Sequence, residues 1–239
     1  GEEEQARAHF DAARAARAAA GESTPNPHDA IYRARAHSEM GALAEAARGF
    51  REAREVLGRY GHPMQALELD VWEGICQRRR GRLAAADVGL TRALEEAVRI
   101  GTPSWVALAR MERALVRGLA GRTAEALREL ATAARATRRL GDRKELARNT
   151  LFEARVRQAA GGAYAAPLAR ALTALVRQDY LVLLRKEADV ARPLLDAAVL
   201  ERITGPWLVR ALGALPEPLR RQNAAPPRRL PARRAVPAV

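Results

Sequence analysis

Aromatic side chains make up only 4% of a chain that is 48% hydrophobic. Much of the apolar fraction is alanine, which favours helix and permits close packing. That balance disfavours the large aromatic and branched core of a globular α/β domain and suits thin helical layers. Cysteine occurs once, at Cys76. One cysteine excludes an intrachain disulfide framework and a cysteine metal cluster, and it fits a reducing, cytoplasmic setting. Lysine is nearly absent, with Lys144 and Lys186 the only two, so the formal net charge of +13 is carried by arginine. No apolar window is long enough to span a bilayer, so no membrane partner is expected. His9, His28, His37 and His62 show no metal-ligand spacing. Ser38, Ser104 and Thr204 have no base placed beside them by sequence, and no P-loop or dinucleotide fingerprint is present. An enzyme, a metal and a cofactor are therefore not expected.

What the chain has is periodic glycine. Residues 21, 41, 61, 81, 101, 121, 141 and 161 are all glycine, one every twenty residues. Glycine is the residue that ends a helix in the left-handed conformation without a Cβ clash. The intervening residues read as helices of about 25 Å. A second signature makes the true period forty. Ala46-Phe50-Ala53, Ala86-Leu90-Ala93 and Ala126-Leu130-Ala133 share one spacing, which Ala6-Phe10-Ala13 anticipates and Ala166-Arg170-Thr173 lets decay. The preceding helices carry a small residue at Ala34, Gly74, Ala114 and Ala154, three after Ile31, Val71, Met111 and Leu151. Small residues around one large knob let two helices approach closely. Each forty-residue unit is thus a helix A, a glycine turn and a helix B.

These residues resemble the tetratricopeptide repeat, in the longer form found in the sensor regions of large bacterial transcription activators. The resemblance covers about residues 3–178. It implies an all-α fold: a right-handed superhelical array of antiparallel helix pairs, about four and a half repeats, with C-terminal capping helices. HEAT-type arrays, whose periods lie in the forties, are the alternative. The run from Asp179 to Val199 is similar to the segment closing the repeat region of LuxR-type and SARP-type activators, which implies a sensor region followed by a DNA-binding domain.

Three regions are expected: a repeat array over 1–178, capping helices over 179–215 and a linker or tail over 216–239. Residues 2–20 read as a helix B without its helix A, so the chain is expected to be cut from something longer, with other domains of that parent chain as partners. The exposed half-repeat also allows a homodimer. In 188–203, Leu194, Leu195 and Val199 are expected to face inward. Tyr60, Ile100, Leu140 and Tyr180 share one register and are expected to close the gap between repeats. Six prolines and six arginines in the last twenty-four residues read either as a spacer or as an arginine arm for nucleic acid.

The candidate site is a groove. In this repeat class the A helices line the concave surface. One of their registers reads Tyr32, Trp72, Glu112 and Phe152, and another begins at Arg35 and ends at Arg155. Arg78 and Arg79 stand near the end of the second A helix. Aromatic faces beside guanidinium groups suit a peptide, a protein segment or a flat polar small-molecule effector, through stacking and bidentate hydrogen bonds. The competing reading of the aromatic stripe is packing between neighbouring A helices. In function the chain is expected to be a ligand- or partner-binding module, the sensor region of a bacterial transcription activator. The alternatives are a protein–protein scaffold and a nucleic-acid binder.

Overall fold

A computed structural model describes residues 26–60 and 62–215, with scattered positions between 8 and 21. The Ala6-Phe10-Ala13 pattern, the turn at Gly61 and the tail from 216 onward lie outside the described residues. Within the described residues the chain is all-α, without a strand. Four helix pairs follow one another: α1 (Pro27–Glu39) with α2 (Leu43–Tyr60), α3 (Pro63–Arg79) with α4 (Leu83–Ile100), α5 (Pro103–Leu119) with α6 (Thr123–Arg139), and α7 (Arg143–Ala159) with α8 (Ala165–Arg177). A single turn, α9 (Val182–Lys186), then leads into α10 (Ala188–Leu200) and α11 (Pro206–Ala214).

The glycine period is visible as stereochemistry. Seven of the eight periodic glycines are described, and all have φ between +70° and +90°. At Gly81 the glycine N–H donates to the Arg78 carbonyl at 2.9 Å and the Arg82 N–H to the Gln77 carbonyl at 2.9 Å. This is the paired bond pattern that consumes orphan carbonyls at a helix end. A Cβ added at Gly81 would meet nothing within 4 Å. Its backbone angle, not its space, therefore demands glycine. Pro63 and Pro103 open α3 and α5, where a missing N–H costs nothing.

The forty-residue signature forms the core. Phe50, Leu90 and Leu130 are buried, as are the alanines flanking each of them. Gly74 shows why the A-helix position must be small. A Cβ there would sit 2.7 Å from Leu90 Cγ, the knob of its own pair. From α1 to α8 each helix packs on the next in sequence, and the A helices also touch one another along the chain, α1 on α3 and α5 on α7. Ion pairs lace the helices together at the surface: Arg33 with Glu52 at 2.9 Å, Arg54 with Asp70 at 2.7 Å, Arg113 with Glu129 at 2.6 Å. Much of the arginine excess is thereby tied to neighbouring helices rather than merely hydrated. No described helix is long and apolar enough to cross a membrane.

Three expectations about the later chain change. First, the Ala166-Arg170-Thr173 register does not face inward: α8 starts at Ala165, and its inward set is Leu168, Ala171, Leu172 and Leu175. The Gly161-Gly162 turn runs on to a buried Tyr164, which rotates the helix out of the earlier register. Second, Leu194 and Leu195 are fully buried, but Val199 is 51% exposed and Ala198 takes the inward place. Residues 194, 195 and 198 share one helical face, and 199 lies beside it. Third, Leu140 is 47% exposed. Ile100 in the same register packs against the second pair's core, whereas Leu140 leaves a cleft of about 190 Å³ beside Trp105, Leu108 and Met111.

The end of the array is closed helix on helix, α10 lying on α7 and α11 on α8. Asp179 and Arg202 bracket this segment, both with positive φ (49° and 56°) although neither is glycine. Such angles cost a side-chain-bearing residue about 1–2 kcal/mol each. The segment is held in place by something stronger than its own backbone preference.

Candidate functional site

The face built by α1, α3, α5 and α7 divides into two zones. The first is aromatic and partly open. His28 and Tyr32 stand one turn apart on α1, with rings stacked at 5.9 Å. Arg35, three residues further, lies over the Trp72 ring of α3 at 3.8 Å, a distance at which a guanidinium is held by the ring's electron density. Trp72 meets Trp105 of α5 edge to face at 6.3 Å. Glu68, one turn before Trp72, pairs with His28 at 3.1 Å. Tyr32 is 38% exposed. The Trp72 indole N–H is buried without a hydrogen-bond acceptor among the described residues. A buried indole N–H normally finds a partner.

The second zone is ionic and closed. Arg78 is in the last turn of α3, Glu112 is in mid-α5 and Arg148 is in the second turn of α7. All three are buried. Between them enters Glu187, the residue joining α9 to α10, also buried. Its carboxylate accepts from Arg78 Nη2 at 2.8 Å and from Arg148 Nε at 2.9 Å. Arg148 also binds Glu112, and Arg78 binds Asp189, two residues past Glu187. Arg79 reaches the Lys186 carbonyl at 2.5 Å and the Ser38 hydroxyl at 3.0 Å. Lys186 reaches Glu39 at 3.2 Å. One short segment thus ties α1, α3 and α7 together across more than a hundred residues of sequence, and Arg78 and Arg148 carry the network on to Glu112 of α5.

The two carboxyls respond differently to burial. Burial alone would raise Glu187, but the Arg148, Arg78 and Arg79 guanidiniums overcome it and hold the carboxyl down at about 2. Burial pushes Glu112 up despite Arg148 and Arg78, and the Glu187 charge adds to the rise. Glu187 is the charge around which the cluster is neutralised. Arg78 and Arg148 are both held more firmly protonated than usual, because the surrounding carboxylates outweigh burial. Phe152 lies beneath both, its ring centre 5.7 Å from Arg78 and 5.1 Å from Arg148.

The eight groove residues read from sequence therefore part company. Tyr32, Arg35 and Trp72 come together in the aromatic zone. Arg78, Arg79, Glu112 and Phe152 belong to the ionic zone, and Arg78, Glu112 and Phe152 are enclosed there rather than facing solvent. Arg155, on α7, donates from Nη1 to Gln158 at 2.9 Å; burial disfavours its charge, and the Asp189 carboxylate of the ionic zone partly offsets that. Arg148, Glu187, Asp189 and Trp105 were not among the sequence-read site residues. Arg148 could have been found: it shares a forty-residue register with His28, Glu68 and Leu108, and a charge at an inward register needs a partner. Cys76 is buried, with its thiol pushed up by that burial, which leaves it unreactive. No group of three or more His, Cys, Asp or Glu among the described residues could hold a metal ion.

Comparison of the chain with protein-family models, with curated proteins and with solved structures gives no match.

Proposed function

We propose that this chain is a ligand- or partner-binding repeat module of the tetratricopeptide type, a right-handed superhelix serving as the sensor region of a bacterial transcription activator. The observation that carries the binding role is the aromatic zone. Arg35 over Trp72, an open Tyr32 and a buried indole N–H without an acceptor form a platform with stacking faces and one spare donor. Such a platform suits a peptide or a flat polar effector carrying an acceptor group. Binding there draws α1, α3 and α5 against one another and changes the curvature that neighbouring domains feel. The switch works only if the ligand prefers one curvature over the other.

The test uses the full chain with Trp105→Phe and Trp207→Phe, which leaves Trp72 as the reporter. Fluorescence is titrated with a panel of small metabolites and of short peptides. A metabolite that shifts Trp72 emission and raises the melting temperature supports the sensor. A peptide that does so, with no metabolite active, supports a protein-binding scaffold. Arg35→Gln is expected to weaken either ligand by about tenfold. Unchanged binding in Arg35→Gln, together with an unchanged ligand-induced rise in melting temperature in Trp72→Ala, would place the site elsewhere and overturn the reading.

A further inference from the structure

The ionic zone has the chemistry of a ligand site that is already filled. Three guanidiniums, Arg78, Arg79 and Arg148, face three carboxylates, Glu112, Glu187 and Asp189. The array itself supplies the three cations and only one of the anions. The other two arrive on the segment between Asp179 and Arg202. Without that segment the three guanidiniums would face only Glu112 and the partly exposed Glu145 of α7, leaving an excess of positive charge on the array's own surface. Charges in such a pocket are tolerated only when paired.

The incoming segment has, at its polar stretch 186–189, the marks of a part that can let go locally. It is joined to the rest of the chain through two non-glycine residues at positive φ. It contains one isolated helical turn and then a break at Glu187, whose φ of −107° and ψ of 40° are not helical. The stretch 186–189 holds the array by polar contacts, while Leu183, Leu184, Val190, Leu194 and Leu195 on either side stay in the array's hydrophobic core. Glu187 and Asp189 bind the arginines, the Lys186 carbonyl accepts from Arg79, and the Lys186 ammonium pairs with Glu39.

We propose that Arg78, Arg79 and Arg148 form a dicarboxylate-binding site, that Glu187 and Asp189 occupy it as an internal ligand, and that an acidic peptide segment of Glu-x-Asp spacing displaces them. Two carboxylates one residue apart, on a segment just entering a helix, are what the site now holds. A partner presenting the same pair meets the same donors. Displacement frees the stretch 186–189 and breaks its bridges to α1, α3 and α7, so the site couples partner binding to the shape of the array. The proposal stands apart from the aromatic platform and does not need Trp72 to bind anything.

The test compares the full chain with its Glu187→Gln, Asp189→Asn double variant. Each is titrated calorimetrically with a synthetic peptide containing Glu-Ala-Asp and with its Gln-Ala-Asn counterpart. The double variant is expected to bind the acidic peptide at least about tenfold more tightly than the unaltered chain, because the internal competitor is gone. The neutral peptide should not bind, and adding Arg148→Gln should abolish the gain. Equal affinity in both chains, or affinity indifferent to Arg148, overturns the proposal. Should the double variant fail to fold, hydrogen exchange on the unaltered chain decides. Saturating acidic peptide is expected to speed exchange across 182–191, and unchanged protection there refutes displacement. Adding Trp72→Ala to the double variant should leave acidic-peptide binding intact, so loss of the platform and loss of this site are told apart.

Discussion

Replacing Glu187 with Gln tests whether one carboxylate organises the inner face of the array. The side chain keeps its shape and loses its charge. Two guanidiniums that donate to it at 2.8 and 2.9 Å are left short of an anion. The magnitude follows from the carboxyl's displacement. It moves from an ordinary 4.5 to about 2 in the folded chain, and each pH unit is worth about 1.4 kcal/mol. The charge therefore contributes on the order of 3 kcal/mol, in line with the roughly 3–5 kcal/mol lost when one partner of a buried pair is removed. Urea denaturation at pH 7 should show a loss of about 3 kcal/mol, and the melting temperature should fall by roughly 6–12 °C. The sign with pH is fixed. A carboxyl held below its unfolded value stabilises fully above about 4.5, and that contribution drains away as pH falls toward 2. The gap between the unaltered chain and Glu187→Gln should narrow over that window. Glu112→Gln is the control. Burial already pushes Glu112 toward its neutral form, so its loss should cost clearly less. If Glu187→Gln lay within about 0.5 kcal/mol of the unaltered chain, or if Glu112→Gln cost more, the assignment of Glu187 as the neutralising charge would be wrong.

Helix-interior glycines give a paired prediction. Gly58 in α2 has nothing within 4 Å of an added Cβ, so Gly58→Ala should stabilise by about 0.5–1 kcal/mol through helix propensity. Gly74→Ala makes the same chemical change but drives a Cβ to 2.7 Å from Leu90 Cγ, so it should destabilise by about 1–3 kcal/mol. Thermal melts of the two variants should move in opposite directions. At the core, Leu130→Ala should cost about 2–5 kcal/mol, because the knob is 2% exposed and flanked by buried alanines; chemical denaturation with an unchanged slope checks it.

The repeating part of the fold was legible because its determinants are local. A left-handed glycine, a proline at the first helical position and a small residue facing a knob each act within one helix pair. Repetition then amplifies each signal fourfold. The aromatic zone was legible for the same reason: Tyr32 and Trp72 share a register, and Arg35 is one turn away. Where repetition fails, so does the reading. The Gly161-Gly162 turn adds Tyr164 and shifts α8 out of phase, and no earlier unit has a residue that does this. Val199 and Ala198 differ by one position, which a break at Glu187 and a proline at 193 make hard to phase.

The ionic zone was hidden for a deeper reason. Arg78 and Glu187 are 109 residues apart, and nothing in a forty-residue period links them. A repeat pattern specifies how each unit meets the next; it says nothing about what reaches back over the finished surface. The sequence does hold one physical hint. Burying Arg148 and Glu112 at inward registers cannot be stable in isolation, since each buried charge demands an opposite one. Arg78 and Arg148 together exceed what the buried Glu112 can neutralise, and Glu145 of α7 reaches Arg148 only from a partly exposed position. The missing anion must come from outside the periodic units, and Glu187-Ala188-Asp189 is the acidic pair in the otherwise apolar and basic run from Leu181 to Pro193. Charge balance among inward registers, rather than periodicity, is the argument that points from the array to the segment that closes it.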